Sequence, residues 1–148
     1  MLKIEPFIYN NDFDELLSNT YIVYDEAKNC VIIDPSKNNT KVRDFIKNNK
    51  FKPKAVLLTH GHFDHFKGAS ILVESFKIPL YIAADDEDMI RNPSLNCSYE
   101  FETPVIFGGE STFYQRNGVL KLLKEELLVI PTPYHTKGSV CFYSKNNN

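Results

Sequence analysis

The 148-residue sequence predicts an α/β domain in which helices cover a sheet. Short apolar, β-branched runs alternate with amphipathic segments, as is typical of layered α/β folds. Histidine and aspartate side chains also follow the ends of several of these runs, where ligand sites form in open α/β sheets. At this length we expect one domain, covering residues 1–148, with its own hydrophobic core.

Each predicted element is supported by its local pattern. The runs NTYIVYD (19–25) and CVIIDP (30–35) are rich in β-branched and aromatic residues, and together they predict a hairpin. The weak signals of residues 92–118 predict a loop region, and residues 119–123 are compatible with either a strand or a helix. The other predicted elements are helices over 40–50, over 66–77 and after residue 84, and strands over 54–60, 79–84, 127–131 and 138–145.

The composition argues against two classes of partner. A formal net charge of -2 with scattered lysines predicts no nucleic-acid surface, which would need a basic stripe. No apolar run approaches the ~18 residues of a membrane span, and the N-terminus shows no signal peptide. Cys30, Cys97 and Cys141 form no close pair, which indicates reduced thiols in a cytoplasmic protein. The oligomeric state is not predicted.

Three of the four histidines lie within six positions, in the segment LLTHGHFDHFKG (57–68). Chance would place this pattern in roughly 2 of 10,000 chains of this composition. Its alternative interpretation is a surface loop with unconnected histidines. Neutral imidazole nitrogen and carboxylate oxygen are ligands that Zn²⁺ takes, so the segment favours a metal site.

The spacing within this segment predicts how its side chains are shared. His60 and His62 are two residues apart, so on an extended segment both rings can reach one ion. Asp64 and His65 come directly afterwards, where the chain turns into a helix, and can face a second point a few ångströms away. Two metals about 3.5–4 Å apart are a known hydrolytic arrangement.

Two further residues are candidates for the same site. His135 follows the apolar run LLVIPTP and is the only other histidine, so we expect it to be a ligand. Asp34 ends the strand VIIDP and can accept a hydrogen bond from a ligand histidine, as carboxylates near metal sites commonly do. An aspartate that only initiates the turn before Pro35 explains Asp34 equally well.

The segments LLTHGHFDHFKG, NTYIVYD…VIIDP and IPTPYHTKGSVCFY together resemble the metallo-β-lactamase superfamily, most closely its glyoxalase II-like branch, the hydroxyacylglutathione hydrolases. The resemblance implies an αββα sandwich, of which this chain has the first αβ half and the first strands of the second half. It also implies two zinc ions (iron or manganese being possible) and hydrolysis of a small-molecule thioester or related ester by a metal-bound hydroxide. By position it assigns His60, His62 and His135 to the first metal and Asp64 and His65 to the second, with Asp64 steering the hydroxide and Asp34 at the family's first-strand aspartate.

The sequence departs from the family's pattern near its end. The family continues into a metal-bridging Asp and a final His, and this chain ends before either, so we expect a truncated form that is a poor hydrolase on its own. We also expect the apolar sheet face around Val56, Leu58, Ile82 and Phe142 to be exposed. Two alternatives stay open: a mononuclear iron sulfur-dioxygenase of the same superfamily, and a non-catalytic fragment that binds metal.

Overall fold

The computed structural model describes residues 1–9, 15–101, 104–115 and 117–146. Their regular elements fall into two sheets and a layer of helices. The strands are β1 (Lys3–Phe7), β2 (Thr20–Tyr24), β3 (Asn29–Ile33), β4 (Lys52–Leu57), β5 (Leu80–Ile82), β6 (Ser111–Phe113), β7 (Val119–Leu120), β8 (Leu127–Pro131) and β9 (Val140–Tyr143). The helices are α1 (Lys41–Asn48), α2 (Ala69–Phe76), α3 (Glu87–Arg91) and α4 (Ser98–Phe101), with 3₁₀ turns at Phe63–His65 and Ala84–Asp86.

The larger sheet has the strand order β1-β2-β3-β4-β5-β6. Its first three strands are antiparallel neighbours, while β3, β4, β5 and β6 run parallel. The second sheet is the antiparallel array β7-β8-β9. The predicted α/β class is confirmed, and within the described ranges every helix is too short or too polar to cross a membrane.

The predicted hairpin is present and has a well-bonded turn. Strands β2 and β3 pair from Tyr21↔Ile33 to Tyr24↔Cys30. The Asp25 carboxylate accepts hydrogen bonds from the backbone N–H and the side-chain amide of Asn29, at 3.0 and 2.9 Å. These contacts close the turn between β2 and β3. Asp34 directly follows β3 and therefore lies at its carboxyl end.

The two faces of the larger sheet pack against different layers. One face, with Val56, Leu58 and Ile82, is fully buried beneath the helices, where Val42 and Ile46 of α1 join the same core. The opposite face packs on the second sheet. That smaller core contains Val23, Val31, Ala55, Leu57 and Leu127, with Phe142 partly buried against it.

The expected exposure of Val56, Leu58 and Ile82 is therefore wrong, and Phe142 is partly buried rather than exposed. Side chains alternate between faces along a strand, so the period of the apolar run does not tell which set faces which layer. In the structure Ala55 and Leu57, not Val56 and Leu58, face the second sheet.

The region predicted as a loop contains two short elements. Helix α4 begins at Ser98, and β6 pairs in parallel with β5, with Leu80 opposite Ser111. Arg91 holds the intervening chain, because its guanidinium donates to the carbonyls of Phe107 and Gly109 and to the Ser111 hydroxyl. These elements depend on long-range contacts, which local sequence patterns do not report.

Strand directions bring the predicted site residues to one edge. Parallel strands β3, β4 and β5 all end at this edge, and the segments that follow them carry Asp34, the His60–His65 run and Asp86. Strand β4 ends at Leu57, three residues earlier than expected, so His60 lies in the loop beyond it. His135 lies in the segment that follows β8 of the second sheet.

Candidate metal centre

Three imidazole rings converge at the carboxyl edge of the larger sheet. The Nε2 atom of His60 lies 3.0 Å from Nδ1 of His62, and that Nδ1 lies 3.0 Å from Nε2 of His135. The ligand atoms of the three residues all lie within 4.8 Å of one another. Tetrahedral ligands at Zn–N distances of ~2.0–2.1 Å are separated by roughly 3.3 Å, so the spacing suits one ion. A metal held here would have ligands from both sheets.

The hydrogen bonds of Thr59 determine which nitrogen of His60 faces the site. The Thr59 hydroxyl donates to Oδ2 of Asp34 at 2.7 Å and lies 3.1 Å from Nδ1 of His60. A hydroxyl has one proton, and here the Asp34 carboxylate receives it. Nδ1–H of His60 must then donate to Thr59, which leaves the Nε2 lone pair of His60 directed at the site.

Asp34 holds the loop of residues 59–65 in place through hydrogen bonds. Its buried carboxylate accepts hydrogen bonds from the Thr59 backbone N–H at 2.8 Å, from the Thr59 hydroxyl and from Nδ1 of His65 at 2.9 Å. The backbone at Asp34 is left-handed, with φ of 49°. The structure thus places Asp34 in contact with the loop, in the position expected of a carboxylate that orients ligand histidines.

Asp64 and His65 form a second pair beside the three rings. Both belong to the 3₁₀ turn Phe63–His65, and Nε2 of His65 lies 3.5 Å from Oδ2 of Asp64. The His65 ring centroid is 4.1 Å from that of His60. Since Nδ1 of His65 is bonded to Asp34, its Nε2 and the Asp64 carboxylate are the atoms that could hold a second ion.

The surroundings keep the rings of His60 and His62 neutral. Burial, with smaller contributions from the rings of His65, His62 and His135, lowers the pKa of His60 to about 3. Burial and the neighbouring His135 also lower the pKa of His62. Metals bind neutral imidazole, so His60 and His62 can bind a cation without first losing a proton at neutral pH.

His65 has the opposite shift. Burial by itself would lower the pKa of His65, but the hydrogen bond and charge of Asp34, together with the charge of Asp64, raise it overall. This ring therefore holds its second proton to a higher pH than an exposed histidine does.

We expect metal-free protein to show this contrast directly. Between about pH 5 and 8 the His65 ring should titrate with a pKa above 6.5, while His60 stays neutral. In Asp34→Asn the pKa of His65 should fall, because the charged acceptor is lost while asparagine still tolerates the left-handed backbone. The measurement is the pH dependence of the imidazole Cε1–H resonances by NMR.

The same shift has a consequence for stability. A folded-state pKa above the unfolded value of about 6.5 means that the Asp34–His65 pair stabilises the fold fully below that pH. This contribution is lost as the pH rises through the folded pKa. A His65 pKa at or below 6.5 in the wild-type chain would contradict both expectations.

Sequence reasoning missed Asp86 altogether as a site residue. It lies in the 3₁₀ turn after β5, is buried, and its carboxylate contacts both the His60–His62 loop and the segment after His135. The run DDEDMIRN indicated only an acidic helix start. No spacing within the sequence links Asp86 to segments 25 and 50 residues away.

This fold, with a histidine cluster at the carboxyl edge of its sheet, is that of a metal-binding α/β domain. The chain belongs to the metallo-beta-lactamase superfamily, whose family model matches residues 13–148. The predicted family and αββα-type fold are confirmed.

Among curated relatives, the chain is 29% identical over 133 residues to a hydroxyacylglutathione hydrolase of Buchnera aphidicola subsp. Baizongia pistaciae, covering 88% of this chain and 46% of that protein. It is 30% identical over 135 residues to the probable metallo-hydrolase YqgX of Bacillus subtilis, covering 87% of this chain and 61% of that protein. The chain thus spans about half to three fifths of the length of these relatives.

Two solved structures show the same fold. The B3 metallo-beta-lactamase BLEG-1 superposes with a TM-score of 0.83 at 28% identity, over 99% of this chain and 68% of that one. The protein TTHA1623, crystallised in a di-iron-bound form, superposes with a TM-score of 0.70 at 25% identity, over 86% of this chain and 62% of that one. The superfamily and the histidine cluster agree with metal-dependent hydrolysis.

Proposed function

We propose that this chain carries the metal site of a binuclear hydrolase, with a thioester of the hydroxyacylglutathione class as substrate. The observation that carries the proposal is the convergence of His60, His62 and His135 beside the Asp64–His65 pair. The first group would hold one ion and the second pair another. A bound metal supplies Lewis-acid polarisation of a carbonyl and a water that ionises near neutral pH.

The chain's own residues have separate parts in this proposal. Asp34 and Thr59 fix the tautomers and orientations of His60 and His65. The Asp64 carboxylate would accept a hydrogen bond from the attacking water and hold it for the substrate carbonyl. No side-chain nucleophile is required.

A cavity of about 240 Å³ opens directly on the site. Its walls beyond the histidines and Asp64 are largely apolar, formed by Leu16, Phe63, Cys97 and Phe101. Apolar walls exclude water from one side of the reacting centre and suit the hydrocarbon part of an acyl group. We therefore place the acyl side of the thioester against this wall.

Support for the thioester comes from the hydroxyacylglutathione hydrolase relative at 29% identity. The likeness to BLEG-1, at 28% identity and a TM-score of 0.83, favours a second candidate, hydrolysis of a β-lactam. For the metal we propose zinc. The di-iron form of TTHA1623 makes iron the alternative metal. The alternative reaction is that of a mononuclear iron sulfur-dioxygenase of the same superfamily.

The test uses the purified chain, loaded in parallel with zinc and with ferrous iron. Each form is assayed for hydrolysis of a hydroxyacylglutathione thioester, for hydrolysis of a β-lactam, and for oxygen consumption with glutathione persulfide. Of the three activities we expect thioester hydrolysis to have the highest kcat/KM in the zinc form, at the low absolute rate already expected for these 148 residues alone, and to disappear on chelation. The control variant is Asp88→Asn, which removes one carboxylate charge at an exposed position on α3 and should behave as wild type.

Each other result points to a different function. Oxygen consumption by the iron form without thioester hydrolysis would favour the dioxygenase, and a preference for the lactam would favour the second candidate. Tight metal binding with none of the three activities would favour a non-catalytic metal-binding chain.

We also propose a reducing, cytoplasmic setting for this activity. Cys30, Cys97 and Cys141 are all free thiols. Burial raises the pKa of the Cys30 thiol to about 12, so this residue stays protonated inside the core.

A further inference from the structure

We propose that Asp86 is the positioning residue that brings His135 to the other two rings of the metal site. This inference rests on the proposed metal site but not on the reaction performed there. Asp86 would not touch metal or substrate. Its carboxylate instead joins two loops that come from different sheets, and each loop carries part of the histidine cluster.

The carboxylate of Asp86 accepts hydrogen bonds from three donors, with both of its oxygens engaged. Oδ2 accepts from the backbone N–H of Gly61 at 3.1 Å and from the Thr136 hydroxyl at 2.6 Å, while Oδ1 accepts from the backbone N–H of Gly138 at 2.8 Å. Gly61 lies between His60 and His62, and Thr136 directly follows His135. A buried carboxylate bonded in this way resists displacement, because any shift leaves buried N–H groups unpaired.

The glycines on both loops allow this close approach. A Cβ at Gly138 would stand 2.6 Å from Cγ of Asp86, and a Cβ at Gly61 would stand 2.6 Å from Cβ of Met89 and 3.0 Å from the Asp86 carbonyl oxygen. Neither glycine has a positive φ, so backbone conformation does not explain their presence. Both loops are instead packed against the turn that carries Asp86.

The segment after His135 also has supports of its own, among them the bond from the Thr132 N–H to the Ser139 carbonyl at 2.8 Å. Thr136 and Ser139 bond to each other, through a 2.7 Å contact between their hydroxyl oxygens and a 3.0 Å bond from the Thr136 N–H to the Ser139 hydroxyl. The backbone N–H of Val140 donates to the Thr59 carbonyl at 2.9 Å. His135 itself is exposed, so its position depends on these bonds rather than on packing.

The test is metal affinity measured apart from catalysis. Metal-free wild type and Asp86→Asn are titrated with Co²⁺ and followed by the visible d–d bands, whose intensity reports tetrahedral coordination. Asparagine has nearly the same shape but only one acceptor oxygen, so at least one of the three donors loses its partner. We expect the Co²⁺ Kd to rise about 10–100-fold, the range known for residues that orient metal ligands.

Two controls separate positioning from a general loss of stability. Asp88→Asn removes the same charge from an exposed site on α3 and should keep the wild-type Kd. Leu72→Ala opens a cavity in the helix-side core and lowers the unfolding temperature without touching either loop, and it should also keep the Kd. A Kd that rises in Asp86→Asn but not in Leu72→Ala supports positioning.

Thr136→Val tests the same contact between the two loops, this time by changing the donor. It removes the hydroxyl that donates to Asp86 and should raise the Kd several-fold. If Asp86→Asn and Thr136→Val both act by breaking the same hydrogen bond, their effects should not be independent. The Co²⁺ Kd of the double variant should then rise by less than the product of the two single fold-increases. If Asp86→Asn does not fold, the result for Thr136→Val decides.

The proposal is overturned if the Co²⁺ Kd stays within twofold of wild type in Asp86→Asn, or in Thr136→Val where that variant decides. It is also overturned if Leu72→Ala weakens binding as much as Asp86→Asn. Wild-type protein that binds no Co²⁺ would overturn the proposed function together with this inference. Tight wild-type binding with an unaffected Asp86→Asn would overturn this inference alone.

Discussion

Replacing His62 by alanine should remove most of the metal affinity of the chain. His62 is the central ring of the cluster, since its Nδ1 lies 3.0 Å from both Nε2 of His60 and Nε2 of His135. A four-ligand zinc site is worth about 10–16 kcal/mol, so one ligand accounts for about 2.5–4 kcal/mol. Each 1.4 kcal/mol is a factor of ten, which gives binding roughly 10²–10³-fold weaker. Hydrolysis should fall at least as far.

Isothermal titration of metal-free protein with Zn²⁺ measures this change. The matched control is Tyr134→Ala, which alters an aromatic side chain that is 93% exposed and adjacent to His135. That variant should keep the wild-type affinity. Because His62 is only half-buried in a loop, the metal-free His62→Ala protein should unfold at nearly the wild-type temperature. An affinity within threefold of wild type in His62→Ala would exclude the three-histidine site.

Replacing Asp64 by asparagine should separate catalysis from first-site binding. Asp64 is paired with His65 and lies outside the ligand group formed by His60, His62 and His135. The first ion should therefore bind normally, while the attacking water loses the carboxylate that orients it. Removal of a group that positions or takes a proton costs about 10²–10⁴-fold in rate. We expect a loss of kcat/KM in this range with one metal equivalent retained.

The two quantities must be measured on the same protein. Metal content comes from elemental analysis after dialysis, and kcat/KM from the thioester assay at saturating zinc. Asp88→Asn again serves as the matched control, because it makes the same chemical change at an exposed position. Full hydrolytic activity in Asp64→Asn would show that the binuclear mechanism is wrong, even if zinc still binds.

Much of the fold could be predicted from local patterns. The hairpin of β2 and β3, helices α1 and α2, and strands β4, β5, β8 and β9 all lie within runs whose local apolar, β-branched or amphipathic pattern predicts them. Strands β1 and β6 and helix α4 were not predicted. Helix α4 and strand β6 have only four and three residues, while β1, which is as long as β2, exists because it pairs with β2 from Lys3↔Tyr24 to Phe7↔Thr20. Pairing partners are a property of the folded chain, and so short edge strands have weak signals of their own.

By itself, the sequence indicated the superfamily, which the family model confirms, and the residues of a candidate metal site. The spacing His-x-His-x-Asp-His after an apolar strand places two imidazoles, a carboxylate and a third imidazole on one short loop. This is local information, because i and i+2 side chains on an extended segment point the same way. His135 and Asp34 could be added because each follows a strand-like run, and ligand sites form at strand ends.

The tertiary structure alone decided how these pieces are oriented and held together. It decided that Ala55 and Leu57, rather than Val56 and Leu58, face the second sheet, since the direction of a strand's faces depends on what packs against them. It also revealed Asp86, whose three bonds join loops 25 to 52 residues away in the chain. Such bonds exist only once the two sheets have packed and excluded water, so no local pattern in the sequence records them.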